Sequence, residues 1–482
     1  MNFAVEIVEA SDPDALALVE LDRAHARREH RFGAVAKAAR TMAAHLHQAG
    51  VRRGDVVLTL AGNQPDWVVA MVACFRQGYV VLPCTEQLRA KDLMLRLAVA
   101  QPAAVVADGR NADVLRQAGW DGPTIWAPGV MDWPEPAPGS VPPPAALGPL
   151  DPCLITFTSG TAGEPKAVLH GQRYLDGQRL QAEHWLAARP GDLVWCTAAS
   201  GWSKSARNVF IAPWLRGAAA LLHDARFDPA ERLDLLERER VQVLCMAPTE
   251  YRVIAKRVPL RRFPALRALV AAGEALNPEV LSAWRAATGL EIRDGYGQTE
   301  TGQLTGNLDG EPARPGSMGR ALPGVKLWIE DGELVADPAT VPTFFLKYLG
   351  DEEPTADAPW RTGDRVAQDD DGYLFFEART DDVIISAGYR IGPFEVESAL
   401  VAHPAVAEAA VVAAPDEDRG SVVRAIVVLR DGHDPSDDLA RALQDHVKDL
   451  TAPYKYPRVV EFAPDLPKTA SGKIRRALLR GE

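Results

Sequence analysis

The sequence predicts an α/β protein: a large N-terminal domain of stacked α/β sub-domains with parallel and mixed sheets, then a small C-terminal α+β domain. Three observations predict it. The chain has 482 residues, more than one hydrophobic core supports. Over its first two-thirds, strand-length apolar runs alternate with helical patterns. Near residue 360 this alternation gives way to hairpin-like strands and fewer helices.

The runs DVVLTLAG, YVVLPC, AAVVAD, LVWCTAA, VQVLCMAP and LRALVAAG are bounded by Gly, Pro or Asp. Strands apolar along their whole length fit parallel sheets covered on both faces. Between them FGAVAKAARTMAAHLHQAG reads as a helix stopped by glycine. DPAERLDLLERER opens on an Asp cap with Pro in the first turn, and NPEVLSAWRAATG has Asn277, Pro278 and Gly289 in the corresponding places. Residues 127–150 are proline-rich, which excludes a helix interior or a central strand and predicts a surface connection into the strand CLITF. After residue 360, YLFFEAR, a turn at TDD, VIISAG, the helical PFEVESALVAH, two strands, an amphipathic helix DLARALQDHVKDL and VVEFAP follow. The boundary is expected at Thr380–Asp382, giving domains 1–380 and 381–482.

Composition narrows the function. With 53 Lys+Arg against 65 Asp+Glu the net charge is −12, which argues against a nucleic-acid surface. A polyanionic substrate then needs locally grouped cations and backbone N–H donors. Five widely spaced cysteines include no metal-like pair and lie mostly in apolar runs. The N-terminus lacks a signal-peptide pattern, and no apolar run approaches the roughly 18–20 residues a membrane span needs. A cytoplasmic protein is expected.

Four stretches carry chemistry. The first, TFTSGTAGEPKAV (156–168), fails the common phosphate-loop pattern: Glu164 and Pro165 separate Gly163 from Lys166, and Ala167 replaces the metal-binding hydroxyl. Alone it reads most simply as a surface turn. Yet Thr158, Ser159, Gly160, Thr161, Gly163 and Lys166 offer the donors and cation that suit phosphates. The second is DGYGQTETG (294–302), where Tyr296 can stack on a base and Glu300 can hold Mg²⁺. The third is WRTGDRVAQDDDGYLFFEART (360–380), where Asp364 can accept both ribose hydroxyls and Arg379 can contact ribose or phosphate. Its DDDG is a hairpin turn. The fourth is LPKTASGKIRRALLR (466–480), where Lys473 becomes an electrostatic catalyst if it reaches a reacting carboxylate and phosphate.

In this order and combination the four resemble the adenylate-forming superfamily of acyl-CoA synthetases, peptide-synthetase adenylation domains and luciferases. The resemblance runs from about residue 30 to the end. Within the superfamily, GYGQTETG, SAGYRIGPFEVESAL, HPAV, TAPYKYPR and LPKTASGKIRRA are similar to the medium-chain acyl-CoA synthetases.

The resemblance implies a mobile C-terminal domain that turns between two half-reactions. A carboxylate first attacks the α-phosphate of ATP, with Mg²⁺, to give acyl-AMP and pyrophosphate. The thiol of CoA then displaces AMP. Residues Thr158 to Lys166 would hold the pyrophosphate portion. Gly273, Glu274 and Ala275 would lie against adenine and the reacting carboxylate. Asp294, Gly295, Tyr296, Gly297, Gln298 and Thr299 would line the adenosine, Glu300 would take Mg²⁺, and Asp364 and Arg379 would hold the ribose. Lys473 would act in the first step only, and Asp381 falls at the hinge. Gly388, Tyr389 and Arg390 would form the pantetheine passage, with Arg419, Lys448, Tyr456, Arg458 and Gln87 toward CoA. Trp202, Ser203, Lys204 and Asn208 would border the acyl pocket. Trp202 either closes a tunnel or is a core aromatic, and Lys204 either meets a polar acyl tail or points to solvent.

Two departures stand out: Ala162 replaces a usual serine, and Ala378 replaces the usual glycine before Arg379. The implied substrate is a medium-chain fatty or an aromatic or alicyclic acid. A homodimer is consistent with the resemblance. The alternative is a stand-alone adenylating enzyme that loads a carrier protein. A catalytically silent nucleotide sensor would predict loss of Lys473, Glu300 or Asp364, and all three are present.

Overall fold

The structure is a computed structural model of the chain. It describes residues 1–482 except 128, 138, 159–164, 274–275, 277, 352–357, 388, 417–418, 470–472 and 481–482, and of Arg390 it describes the backbone alone.

All six apolar runs form parallel strands, divided between two large sheets. Val56–Leu60, Val80–Cys84 and Ala104–Ala107 lie in a seven-stranded sheet. Leu193–Cys196, Val243–Met246 and Ala268–Ala272 lie in a nine-stranded sheet. Both sheets are mixed, because antiparallel strands close their margins. The unbroken apolarity follows from cover on both faces. Val57 faces the core that contains helices Phe32–Gln48 and Pro65–Gln77. Its neighbours Leu58 and Leu60 face the helices Ala90–Ala100 and Ala112–Gln117 through Leu93 and Leu115.

Helix Pro65–Gln77 was not evident in the sequence, because every one of its residues is buried and it shows no polar face. Trp67 packs edge-on to Phe210, with ring centroids 5.7 Å apart, so this helix joins the cores of the two sheets. Its two charged side chains are both used, while Trp67 Nε1 is buried without a hydrogen-bond partner. Asp66 accepts from the Val130 N–H at 2.7 Å, and Arg76 donates to Glu9 at 2.9 Å and to the Pro142 carbonyl at 2.8 Å. The last of these contacts holds down the proline-rich connection.

The expected helices form as Phe32–Gln48, Pro229–Arg238 and Pro278–Thr288. The Asp228 carboxylate caps the second by accepting from Ala230 and Glu231 N–H groups at 2.9 Å. The expected cap Asn277 lies outside the described residues.

The change of rhythm at 360 does not mark a change of unit. Trp360–Gln368 and Leu374–Arg379 pair with each other, and Trp360–Gln368 pairs with Glu333–Ala336, in a four-stranded antiparallel sheet with Leu327–Glu330. Hairpin sequences read alike on both sides of residue 380. Asp369–Gly372 is the tight turn of that hairpin. Beyond 380 come the hairpin Ile384–Ser386/Tyr389–Ile391 and the sheet of Val406–Asp416, Gly420–Leu429 and Val459–Phe462. Helices Pro393–Ala402 and Asp437–Leu450 cover this sheet over their own apolar core. Among the described residues, no sheet holds strands from both sides of residue 380. No helix among them is long and apolar enough to cross a membrane.

Candidate active site

Several of the chemistry-bearing segments lie at the carboxyl ends of the parallel strands, where open α/β sheets bind ligands. Residues 197–204 follow the strand ending at Cys196, and Gly273 follows the strand ending at Ala272. The loop before Trp202 is tied to the other sheet. Asn63 Nδ2 donates to the Ala198 carbonyl at 3.0 Å, and Asn63 Oδ1 accepts from Ser200 N–H at 2.8 Å. Gly201 sits so close to Cys84 and Thr85 that a Cβ would lie 2.3 Å from the Thr85 nitrogen, and its φ is +91°. Only glycine lets the two sheets meet here.

The phosphate stretch is a hairpin connection between the antiparallel strands Pro152–Phe157 and Ala167–Gly171, and it does not lead into a helix as the common phosphate loop does. Thr158 and Lys166 close its base, with the Thr158 N–H donating to the Lys166 carbonyl and the Lys166 N–H donating to Thr158 Oγ1, both at 2.9 Å. Ser159, Gly160, Thr161, Ala162 and Gly163 lie outside the described residues. The Lys166 ammonium sits 4.7 Å from the centre of the Tyr348 ring. The Tyr348 hydroxyl donates to Glu300 at 2.9 Å. Burial and the nearby Glu300 charge push the Tyr348 phenol up. The phosphate lysine and the candidate metal carboxylate, 134 positions apart by number, therefore meet around one tyrosine that sequence reasoning missed.

The ribose side centres on Asp364, which is 4% exposed. Arg379 donates to one carboxylate oxygen at 3.1 Å, and Gln298 Nε2 donates to the other at 2.9 Å. The Tyr296 hydroxyl also donates to Asp364. Trp360 Nε1 fixes the Gln298 amide by donating to its oxygen at 2.9 Å. Burial and the Asp364 charge raise the Tyr296 phenol well above its usual range, so it stays a donor. Gly297 lies at a register shift, where a Cβ would lie 1.8 Å from the Gly302 carbonyl oxygen. Asp294 and Gly295 are buried at the start of this turn, and burial raises the Asp294 carboxyl well above its usual range. Thr299 follows the strand, half-buried, next to Glu300.

On the acyl side, Lys204 points inward: its ammonium donates to the Ala272 carbonyl at 3.1 Å and would touch a Cβ on Gly273 at 3.0 Å. Trp202 and Ser203 are half-buried in the turn before it. Glu274 and Ala275 lie outside the described residues. Asn208 is fully buried and accepts from Gln181 Nε2 at 2.9 Å. It belongs to a polar group that the sequence did not reveal. Arg207 is 5% exposed, its Nε has no partner, and no carboxylate among the described residues pairs with it. Neither ring nitrogen of His170, 1% exposed, has a hydrogen-bond partner. The one available signal was an arginine inside the apolar run before PWLRGA.

Burial, then the Arg207 charge, lowers the His170 imidazole to about 3. The unfolded chain binds that proton near 6.5, so His170 contributes stability fully above that pH and loses it as pH falls toward 3. Asp66, which burial raises to about 6, acts oppositely over an overlapping window. The readable quantity is thus the stability gap between the wild type and His170→Gln in denaturant titrations. It is expected to shrink by about 2 kcal/mol between pH 7 and pH 5. A gap independent of pH contradicts a buried neutral imidazole.

The C-terminal residues form a second group. Lys448 lies 4.4 Å above one side of the Tyr456 ring system and Arg458 lies 5.0 Å from the same ring centre. Tyr389 is exposed and stacks on Tyr454 at 4.3 Å. The Arg419 carbonyl accepts from Ala387 N–H at 3.0 Å, which fastens the hairpin carrying Tyr389 and Arg390. Gly388 lies outside the described residues, and Gln87 is exposed beyond Thr85. Lys473 is tied to Thr469, donating its N–H to Thr469 Oγ1 at 3.1 Å while its carbonyl accepts from Thr469 N–H at 2.8 Å. No hydrogen bond or ion pair among the described residues joins it to Glu300 or Asp364. Asp381 pairs with Arg379 at 3.4 Å, while its neighbour Asp382 pairs with Arg480 at 2.7 Å. Adjacent acids thus face opposite units.

Two family descriptions match the chain: AMP-binding enzyme over residues 5–342, and AMP-binding enzyme C-terminal domain over residues 395–473. The chain is 41% identical over 470 residues to an uncharacterized acyl-CoA ligase of Bacillus subtilis, covering 91% of this chain and 87% of that one. It is 41% identical over 468 residues to the mitochondrial acyl-coenzyme A synthetase ACSM4 of Rattus norvegicus, covering 90% and 80%. A crystal structure of a benzoate CoA ligase from Burkholderia xenovorans superposes with a TM-score of 0.87 at 29% identity, covering all of both chains. The chain therefore belongs to the AMP-binding enzymes, the adenylate-forming superfamily that its four motifs resemble.

Proposed function

We propose that the protein is an AMP-forming acyl-CoA ligase that activates a medium-chain, aromatic or alicyclic carboxylic acid. The observation that supports this best is the pairing of two clusters at the strand ends: Lys166–Tyr348–Glu300 for phosphates and Asp364–Arg379–Tyr296–Gln298 for the ribose. A carboxylate nucleophile is already ionised at neutral pH, so no general base is needed. The barrier is electrostatic, because two anions must meet. Lys166 and the donors of residues 158–166 orient the pyrophosphate end. Glu300 keeps one oxygen beyond its bond to Tyr348, and a single carboxylate beside phosphates and water is a donor set that suits Mg²⁺. Bound there, the ion would neutralise charge on the phosphates. Lys473 enters for the first step, and residues 381–382 form the hinge between domains 1–380 and 381–482.

Free CoA is favoured over a carrier protein by the Lys448–Tyr456–Arg458 cluster, in which two cations suited to phosphates lie against one ring, Lys448 also pairing with Asp445 at 2.7 Å. The double variant Lys448→Glu/Arg458→Glu is expected to raise KM for CoA at least tenfold while leaving KM for ATP within about twofold, each charge reversal weakening contact with anionic phosphate. Equal KM values for CoA in wild type and variant contradict the placement. The function itself is tested by a panel of carboxylic acids scored for AMP release that requires both ATP and CoA. Release with a carrier protein but not with CoA selects the carrier-loading reading.

A further inference from the structure

Outside this site, three potential metal ligands converge at the far margin of the nine-stranded sheet. His223 ends the strand Ala219–His223, His25 lies in the turn between Leu16–Leu21 and Arg27–Arg31, and Glu231 lies in the first turn of helix Pro229–Arg238. One ligand atom from each lies within 4.8 Å of the others. Glu231 Oε1 is 2.8 Å from His25 Nδ1 and 4.0 Å from His223 Nε2. A tetrahedral ion with bonds of about 2.0–2.2 Å needs ligand separations of about 3.3 Å, so each gap to the carboxylate changes by less than about 1 Å on binding.

We propose that His25, His223 and Glu231 form a binding site for a divalent transition-metal ion, with Zn²⁺ the best chemical match and water completing the coordination. Nothing in the acyl-CoA ligase reading calls on these residues. Three observations support it. His223 Nε2 is buried and has no hydrogen-bond partner, although its side chain is only 4% exposed. A buried nitrogen left unpaired is costly, and a cation is a partner that removes that cost. Each ligand sits on a fixed element. Leu21 pairs in register with His223, Asp228 caps the helix at Glu231, and Asp22 Oδ1 accepts from Ala24 and Ala26 N–H groups at 2.8 Å to hold the turn of His25. The nearest cations of the helix are already neutralised. Arg232 pairs with Glu250 at 3.0 Å and stacks on Trp195, and Arg238 pairs with Glu239 at 2.8 Å. Two imidazoles and one carboxylate suit Zn²⁺ more than Mg²⁺ or Ca²⁺, which take oxygen ligands. Occupation would pin the N-terminal hairpin to the sheet margin and to the helix.

The test titrates metal-stripped full-length protein with ZnCl₂ by calorimetry and with CoCl₂ by visible absorption. The expected result is one equivalent bound, the intense bands of four-coordinate Co²⁺, and a Tm that rises with Zn²⁺. In Glu231→Gln and His223→Gln the affinity is expected to fall at least 100-fold and the Tm response to vanish. Should His223→Gln not fold, His25→Asn on the exposed turn serves in its place with the same expectation. Absence of stoichiometric Zn²⁺ binding in the wild type overturns the proposal, leaving His25–Glu231 as a surface ion pair. So does one-equivalent binding that survives all three substitutions, since the ion would then sit elsewhere.

Discussion

Lys473→Ala is expected to lower acid-dependent ATP–pyrophosphate exchange by about 10²–10³-fold, the size of effect typical when one preorganised charge at a reacting centre is lost. Conversion of pre-formed acyl-AMP with CoA is expected to stay within a few-fold of wild type. The asymmetry follows from position. Lys473 is tied to Thr469 in the C-terminal unit, with no hydrogen bond or ion pair to Glu300 or Asp364 among the described residues, and the proposed rotation would bring it to the phosphates for the first step alone. The second step is proposed to rely instead on Tyr389, Lys448 and Arg458, which form their own ring contacts with Tyr454 and Tyr456. Half-reactions measured separately decide it. Equal loss in both removes Lys473 from its role and makes it a structural residue.

Asp364→Ala is expected to have the second-largest effect, and on two readouts at once. The carboxylate is buried and takes donors from Arg379, Gln298 and Tyr296. Removal leaves those donors without their acceptor, and stability should fall by about 2–3 kcal/mol, since Arg379 is partly exposed and recovers some solvation. KM for ATP should rise at least tenfold, because a ribose diol loses an acceptor for both hydroxyls. Asp364→Asn separates the two effects. It keeps one acceptor oxygen and the shape, so stability recovers more than ATP binding. Thermal unfolding and steady-state kinetics on both variants check this, and an unchanged KM for ATP with loss of stability alone would leave Asp364 as a purely structural hub.

What could be read from sequence divides along physical lines. The six apolar runs were legible as parallel strands because cover on both faces removes alternation, and Val57 and Leu58 show that cover directly. The Asp228 cap was legible because its chemistry is local. Helix Pro65–Gln77 was not, because an element buried all round carries no periodic signal. The hairpin turn between Trp360–Gln368 and Leu374–Arg379 was legible because that pairing is local, while the attachment of the hairpin to Glu333–Ala336 is not local and was not. In the site, local sequence pointed to Lys166, Glu300, Asp364 and Arg379 as carriers of chemistry. Tyr348, which lies between Lys166 and Glu300, stands in no motif, and only the edge pairing of Lys347–Tyr348 with Ala167–Gly171 places it there. Arg207 and His170 were invisible for the same reason. Their significance is the burial of Arg207 Nε and of both His170 ring nitrogens without a well-formed hydrogen bond, which no spacing along the chain encodes.

The central claim is that one carboxylic acid is adenylated and then passed to a thiol. It is tested most directly by product stoichiometry with the best acid of the panel, followed by mass spectrometry and nucleotide chromatography. The account predicts one AMP, one pyrophosphate and one acyl-CoA per acid consumed, with acyl-AMP accumulating on the enzyme when CoA is withheld. ADP and phosphate as products, or AMP formed without acyl-AMP or any thioester, would contradict it.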